Sequence, residues 1–393
     1  MNILFIAFMP IVPYVGGVQR VTDALSRELM RQGHKAVFLC YKYKPDLSLP
    51  VYACDQLYIE PNGRSDDEVG GELAAIVAKY GVTHVVCQTC DDSSNRIVSL
   101  LPQPLRSKVV YVYHIIPFYY MRYTRREIAG FPTHNWRQRL FKAASMVCPA
   151  VHRNFFRYHE EKTMRRGLQL AARFCFISDH FYKNVLEVIP DAPQEKFAAI
   201  NDPNSYPAQQ GLAPYAGREK AVLWVGRVEN SQKNIFGFLR MWKRFVRMCP
   251  EWKAFVVGTG GDLEAAKAMA ANGKIPQVSF EGGQSDVRQY FRRCRFFAMT
   301  SFWESWGMTL TEAMTCGCIP VAMDTFATLH DIMDHGKSGL ICPPSEDAMA
   351  QTLAQAAADE AMCEKLAQGA VAKIAKFDVS IIARQWVQLL ESL

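Results

Sequence analysis

Two glutamates, eight positions apart, stand where this chain is best placed to do chemistry. Glu304 follows the apolar run Arg295-Phe-Phe-Ala-Met-Thr300, and Glu312 lies in a stretch that Gly317 and Pro320 bring to an end as a helix. A strand, a loop carboxylate, a hinge at Gly307 and a helix carboxylate, in that order, aim two acceptors at the carboxyl end of a sheet, where α/β folds bind ligands. Each ionised carboxylate accepts hydrogen bonds from hydroxyls, which suits a polyol. For an arbitrary pair at this spacing the plainer reading, a loop glutamate and a helix-surface glutamate, is the usual outcome.

Two cations come earlier. Ala221-Val-Leu-Trp-Val-Gly-Arg227 reads as a buried strand ending in Gly226-Arg227, and Lys233-Asn234 precedes the amphipathic run Ile235 to Trp242. A strand, a short loop and a helix start make an anion site, because unbonded N–H groups and the helix dipole favour phosphate. Arg227 and Lys233 would add two full charges to a diphosphate. The chain opens with a similar unit: the strand Asn2 to Phe8, the glycine pair Gly16-Gly17, the helix Val21 to Gln32 and the strand Ala36 to Cys40. Paired glycines let a ligand approach the backbone. The pattern is not G-x-G-x-x-G, so the dinucleotide fingerprint is absent there. Gly258-Thr-Gly260-Gly261 is nearer to it, though a tight strand–helix turn explains that cluster equally well. Val109 to Tyr113 reads as a strand with His114 at its carboxyl end; a lone histidine is more often structural.

The run Glu304, seven residues, Glu312-Ala313-Met314, Gly317, Pro320 resembles the signature of the family-4 retaining glycosyltransferases of GT-B fold. The Gly226-Arg227 to Lys233 spacing and the Gly16-Gly17 turn are similar to that family's other motifs; where the family more often has glycine, this chain has Asn234. The resemblance covers the second half well and the first half loosely. It implies that Glu304 lies by the donor sugar, that Glu312 holds the ribose, and that Arg227 and Lys233 clamp the diphosphate and stabilise charge on it. It further implies donor contacts at Gly16, Gly17, Gly226, Gly307, Met308 and Thr309, and a donor-side histidine at His114. The expected chemistry is hexose transfer with retention on one face of the sugar, the leaving diphosphate helping to deprotonate the acceptor hydroxyl. No cofactor is expected beyond a nucleotide-sugar substrate, UDP-sugar being favoured. No Asp-x-Asp occurs in the chain, which sets aside the commonest carboxylate–metal device of the other large glycosyltransferase fold, and no metal is expected.

Strand and helix patterns alternate along all 393 residues, more than one core sustains at roughly 250–300 residues. The expected fold class is α/β: GT-B, two Rossmann-like doubly wound domains facing a central cleft. The polar, proline-rich segment Asn201 to Pro214 divides them. The reading is an acceptor domain over 1–203, a donor domain over 204–376, and a last helix within 377–393 that crosses back, with Trp386 packing on the first domain.

Net charge is +7, unevenly spread: from Pro104 to Phe176 fourteen Arg and Lys stand against three Glu, interleaved with aromatics such as Phe118, Tyr123, Phe131, Trp136, Phe155 and Tyr158. That suits an anionic membrane surface or a phosphate-bearing acceptor. With the resemblance, the expected acceptor is a glycan or lipid-linked glycan of surface polysaccharide synthesis, and no nucleic acid is expected. The N-terminus lacks a signal-peptide pattern, apolar runs are too short to span a bilayer, and the twelve scattered cysteines read as reduced thiols. The expected location is the cytoplasm, with peripheral contact at the inner membrane. Two alternatives are another GT-B enzyme, an epimerase or phosphorylase, and a non-enzymatic membrane or nucleic-acid binder using residues 104–176.

Overall fold

A computed structural model describes residues 1–12, 16–44, 54–206 and 215–393. The chain forms two compact units, Met1–Pro203 with Val379–Leu393, and Asn204–Asp378. Much of the segment read as a linker, residues 207–214, and most of the turn before Gly16 lie outside the described residues.

The first unit is built on parallel strands β1 (Asn2–Ala7), β2 (Lys35–Cys40), β3 (Gln56–Tyr58), β4 (His84–Cys87), β5 (Val109–Tyr113), β6 (Arg173–Phe176) and β7 (Phe197–Ala199), ordered β3-β2-β1-β4-β5-β6-β7. Ile3 to Ile6 and Val85 to Cys87 are buried along their length, as strands covered on both faces must be. The order reverses between β1 and β4, which makes their carboxyl ends the switch point of the sheet. The helix Val379–Glu391 belongs to this unit; Ile382, Ala383, Trp386 and Leu390, which fall on one helical face, join one core with Ile3, Phe5 and Val86.

The second unit repeats the plan with β8 (Glu219–Val225), β9 (Lys253–Val257), β10 (Val278–Gly282), β11 (Cys294–Met299), β12 (Ile319–Met323) and β13 (Leu340–Cys342), ordered β10-β9-β8-β11-β12-β13 and parallel throughout. Its switch point lies between β8 and β11. The helix Ile235–Met248 buries Ile235, Phe238, Leu239, Trp242 and Phe245 against this sheet's core. The unit runs to Asp378, because Phe377 stands edge-on to Trp306, with ring centroids 5.0 Å apart.

One element differs from its sequence reading. The first helix begins at Gly17, with Gly16 as its cap, one turn before Val21. After β6 the chain makes a 3-10 turn, Asp179–Phe181, and a short helix, Tyr182–Leu186; Pro190 disfavours helical geometry at its predecessor. Asp286 stands outside the helix Arg288–Arg293 and accepts the Arg288 N–H at 2.9 Å.

Candidate functional site

The candidate site of the second unit starts from two loops in close contact at the carboxyl ends of β8 and β9. The Gly226 N–H donates to the Val257 carbonyl at 3.1 Å and the Val228 N–H to that of Thr259 at 2.8 Å. A Cβ on Gly258 would lie 1.9 Å from the Gly226 oxygen, and one on Gly260 would lie 2.4 Å from the Val228 oxygen. The glycine cluster therefore has a packing cause: it lets the loop carrying Arg227 lie against its neighbour.

The same loop is fastened to β11 on its other side. The Phe302 N–H donates to the Gln232 carbonyl at 2.8 Å, and the Thr300 hydroxyl reaches the carbonyls of Lys233 (3.3 Å) and Asn234 (3.2 Å). Asn234 has φ +55°, the left-handed conformation that glycine favours and asparagine tolerates. Its Oδ1 accepts the Gly237 N–H at 3.1 Å, capping the helix, and its Nδ2 donates to the Thr300 carbonyl at 3.0 Å. Asn234 thus meets the backbone requirement of the family's glycine and adds a cap and a tie to β11.

These ties set Lys233 beside Glu304. The Lys233 ammonium is 2.6 Å from Glu304 Oε1, which also accepts the Ser301 hydroxyl at 2.7 Å. The side chains are 19% and 7% exposed, so the pair is well shielded from water. The Ser301 carbonyl accepts the Thr325 hydroxyl at 2.8 Å and that of Ser305 accepts the Thr328 hydroxyl at 2.9 Å, fixing the loop. Arg227 is more open: its side chain is 65% exposed, and its guanidinium reaches Gln232 Oε1 at 2.9 Å and Glu229 at 3.4 Å. Gly307, at φ +88°, caps the helix Met308–Thr315, whose first N–H groups belong to Met308 and Thr309. Glu312 is in this helix and fully buried rather than on its surface. Burial also pushes the nearby Cys316 thiol up to about 11.

The first unit holds the remaining expected residues. Gly16 is in extended backbone, and a Cβ there would meet the Gln19 side-chain oxygen at 2.7 Å; Gly17 opens the helix. His114 follows β5 with Nε2 against Gln88 Oε1 and Nδ1 3.6 Å from Asp202 Oδ1. Gln88 directly follows β4, its N–H bonded to the Ile6 carbonyl at 2.8 Å, so it stands at this sheet's switch point. Gln88, Asp202 and Ser301 were not singled out from sequence. Gln88 had a usable signal, a polar residue directly after an apolar strand, as His114 did. Nearby, Glu160 accepts the Tyr113 hydroxyl and the Phe118 N–H (2.9 Å); burial raises its carboxyl above the ordinary range.

A carboxylate held by a serine and a lysine, a second cation, and a helix start capped by glycine are groups whose chemistry suits an anion joined to a polyol. Comparison with known proteins bears on which. Residues 213–372 match the family described as glycosyl transferases group 1. That group 1 segment contains Gly226, Arg227, Lys233, Glu304 and Glu312. An uncharacterized glycosyltransferase of Haemophilus influenzae is 27% identical over 38% of this chain and 43% of its own length. The N-acetylgalactosamine-N,N'-diacetylbacillosaminyl-diphospho-undecaprenol 4-alpha-N-acetylgalactosaminyltransferase of Campylobacter jejuni is 23% identical over 46% of this chain and 49% of its own. The chain thus spans less than half the length of these relatives. The structure of HepE from Anabaena in complex with UDP superposes over 100% of both chains at a TM-score of 0.71 and 17% identity, which establishes the GT-B fold.

Among the described residues, no group of three or more His, Cys, Asp or Glu is placed to hold a metal ion, and no helix is long and apolar enough to cross a membrane. The cysteines of the described residues are unpaired, most of them buried.

Proposed function

We propose that the chain is a retaining, metal-independent glycosyltransferase that moves a hexose from a nucleotide diphosphate sugar, UDP-sugar being favoured, to a glycan or lipid-linked acceptor in surface polysaccharide synthesis. The observation that carries this reading is the contact of Lys233 with Glu304 across the switch point between β8 and β11, inside the group 1 segment. On this reading the second unit, 204–378, is the donor domain. Arg227 and Lys233 take the diphosphate and stabilise charge building on it as the glycosyl bond breaks. Glu304 orients the sugar hydroxyls, and Glu312 holds the ribose from the helix that Gly307 caps. The N–H groups of Met308 and Thr309 lie at the positive end of that helix dipole. His114, with Gly16 and Gly17, serves the donor from the first unit, the acceptor domain. Structures of HepE in complex with UDP and with UDP-glucose support a uridine donor here.

The acceptor reading extends to a membrane surface. The paired helices Trp136–Val147 and Pro149–Leu170 expose Trp136, Leu140, Met146, Val147, Val151, Phe155 and Tyr158, with Arg137, Arg139, Arg153 and Arg157 exposed among them. Such a surface suits an anionic interface.

The deciding experiment is a thermal-shift screen against UDP, GDP, ADP and their sugar conjugates, with and without divalent metal. A ligand bound only by the folded state raises Tm by mass action. The expected result is a shift with one nucleotide family, unchanged by EDTA; no shift with any of them would sink the transferase reading.

A further inference from the structure

Resting on that reading, we infer that Glu304 competes with the donor's diphosphate for Lys233, so that the site binds the nucleotide sugar better than the spent nucleotide. Glu304 Oε1 sits 2.6 Å from the ammonium and is held on its other side by Ser301 at 2.7 Å. Ser301 is itself buried and fixed through the Thr325 bond to its carbonyl, so the carboxylate does not swing away freely. A phosphate arriving at Lys233 meets an ammonium already neutralised, and a fixed negative charge beside it.

What offsets that opposition is the sugar. Hydroxyls of the donor hexose donate to the same carboxylate and replace what it loses when Lys233 turns to phosphate. After transfer, the glycosyl–oxygen bond to the diphosphate has broken, the acceptor oxygen has taken its place on the sugar, and the acceptor's proton has passed to the leaving diphosphate. The nucleotide keeps a terminal phosphate that ionises once more, with a pKa of about 6, while the hydroxyls have left with the product. Glu304 then faces more negative charge with nothing to donate to it, recovers Lys233, and favours release. Lys233 and Glu304 act as a latch, and Ser301 is a positioning residue that keeps its fixed half in place.

The test is calorimetric titration with whichever of UDP, GDP and ADP the wild type binds most tightly, and with its hexose conjugate. The proteins are the wild type, Glu304→Gln, Lys233→Met and the double variant, each checked for folding by circular dichroism. Glu304→Gln should tighten the bare nucleoside diphosphate by about fivefold, the effect of a shielded pair worth about 1 kcal/mol, and shrink the preference for the sugar conjugate. In the Lys233→Met background the same change should alter affinity by less than about twofold, since no latch remains. Glu304→Ala, with the same expectation, serves where Glu304→Gln misfolds. Unchanged or weaker diphosphate binding by Glu304→Gln overturns the latch while leaving the transferase reading intact. Equal tightening in both backgrounds also overturns it, by showing simple charge removal. Failure of the wild type to bind any of the three nucleotides removes the transferase reading and the latch together.

Discussion

Gly237 is in the first turn of the helix Ile235–Met248, where alanine would ordinarily stabilise by up to about 1 kcal/mol. Here Gly237→Ala should destabilise. The added Cβ would lie 2.4, 2.5 and 2.6 Å from Nδ2, Oδ1 and Cγ of Asn234, well inside contact distance. That side chain can yield only by giving up its cap on Gly237 N, worth about 1 kcal/mol, and its bond to the buried Thr300 carbonyl, whose loss costs about 1–3 kcal/mol. Set against the propensity gain, the net loss should be about 1–3 kcal/mol. Asn234→Gly keeps the left-handed backbone and should lose about 1–2 kcal/mol. The double variant has no clash and keeps the better helix former, so it should be at least as stable as Asn234→Gly alone. That makes a coupling of about 2 kcal/mol. Urea unfolding followed by tryptophan fluorescence reports on the second unit, which holds five of the seven tryptophans, Trp224, Trp242, Trp252, Trp303 and Trp306. A Gly237→Ala loss under about 0.5 kcal/mol, or additivity across the cycle, would refute the account of the loop that holds Lys233.

Other outcomes follow from the same structure. Glu312→Ala should weaken nucleotide binding about tenfold or more, whereas Glu304→Ala should chiefly lower kcat; steady-state kinetics with wild-type values for both would sink the site assignment. Burial raises the Glu160 carboxyl above its ordinary 4.5, so above that pH the unfolded chain loses a proton the folded chain keeps, and stability falls as pH rises towards the folded value. Glu160→Gln, which keeps an acceptor for Tyr113 and Phe118, should therefore gain stability over wild type above pH 4.5, with no gain below; melting curves at pH 4.5 and 7.5 check this. The exposed helical pair should hold the protein on vesicles rich in phosphatidylglycerol and release it in high salt, and Trp136→Ser with Phe155→Ser should weaken binding about tenfold. Equal sedimentation with neutral vesicles would contradict the charge component.

Sequence carried the alternation of strands and helices well because parallel strands buried on both faces are continuous apolar runs, as Asn2–Ala7 and Cys294–Met299 are. Helix ends were less legible. Gly16 caps a helix one turn early, and nothing in its neighbours distinguishes a capping glycine from a loop glycine. Motif spacing placed Lys233 and Glu304 each on a loop after an apolar strand. It carried no sign of their direct contact, or of Ser301, because that contact depends on cross-strand ties through Thr300 and Phe302. Of the basic and aromatic stretch, sequence gave charge without orientation. Phe118 and Tyr120 are buried, whereas Trp136 and Tyr158 face solvent.

Asn234 and the Gly258 cluster show why single motif positions mislead in opposite directions. Asn234 departs from the family's glycine, yet its φ of +55° meets the same backbone requirement and its side chain adds two bonds that tie the site together. Gly258 and Gly260 approach a dinucleotide fingerprint, yet their missing side chains are taken up by the backbone of Gly226 and Val228. In both cases the loop bearing Arg227 and Lys233 is what is being shaped: one face rests on glycine, the other is bound to β11. If these cations take the diphosphate, as proposed, a loop so confined leaves them little freedom to lose on binding it, which is where preorganised electrostatic stabilisation comes from.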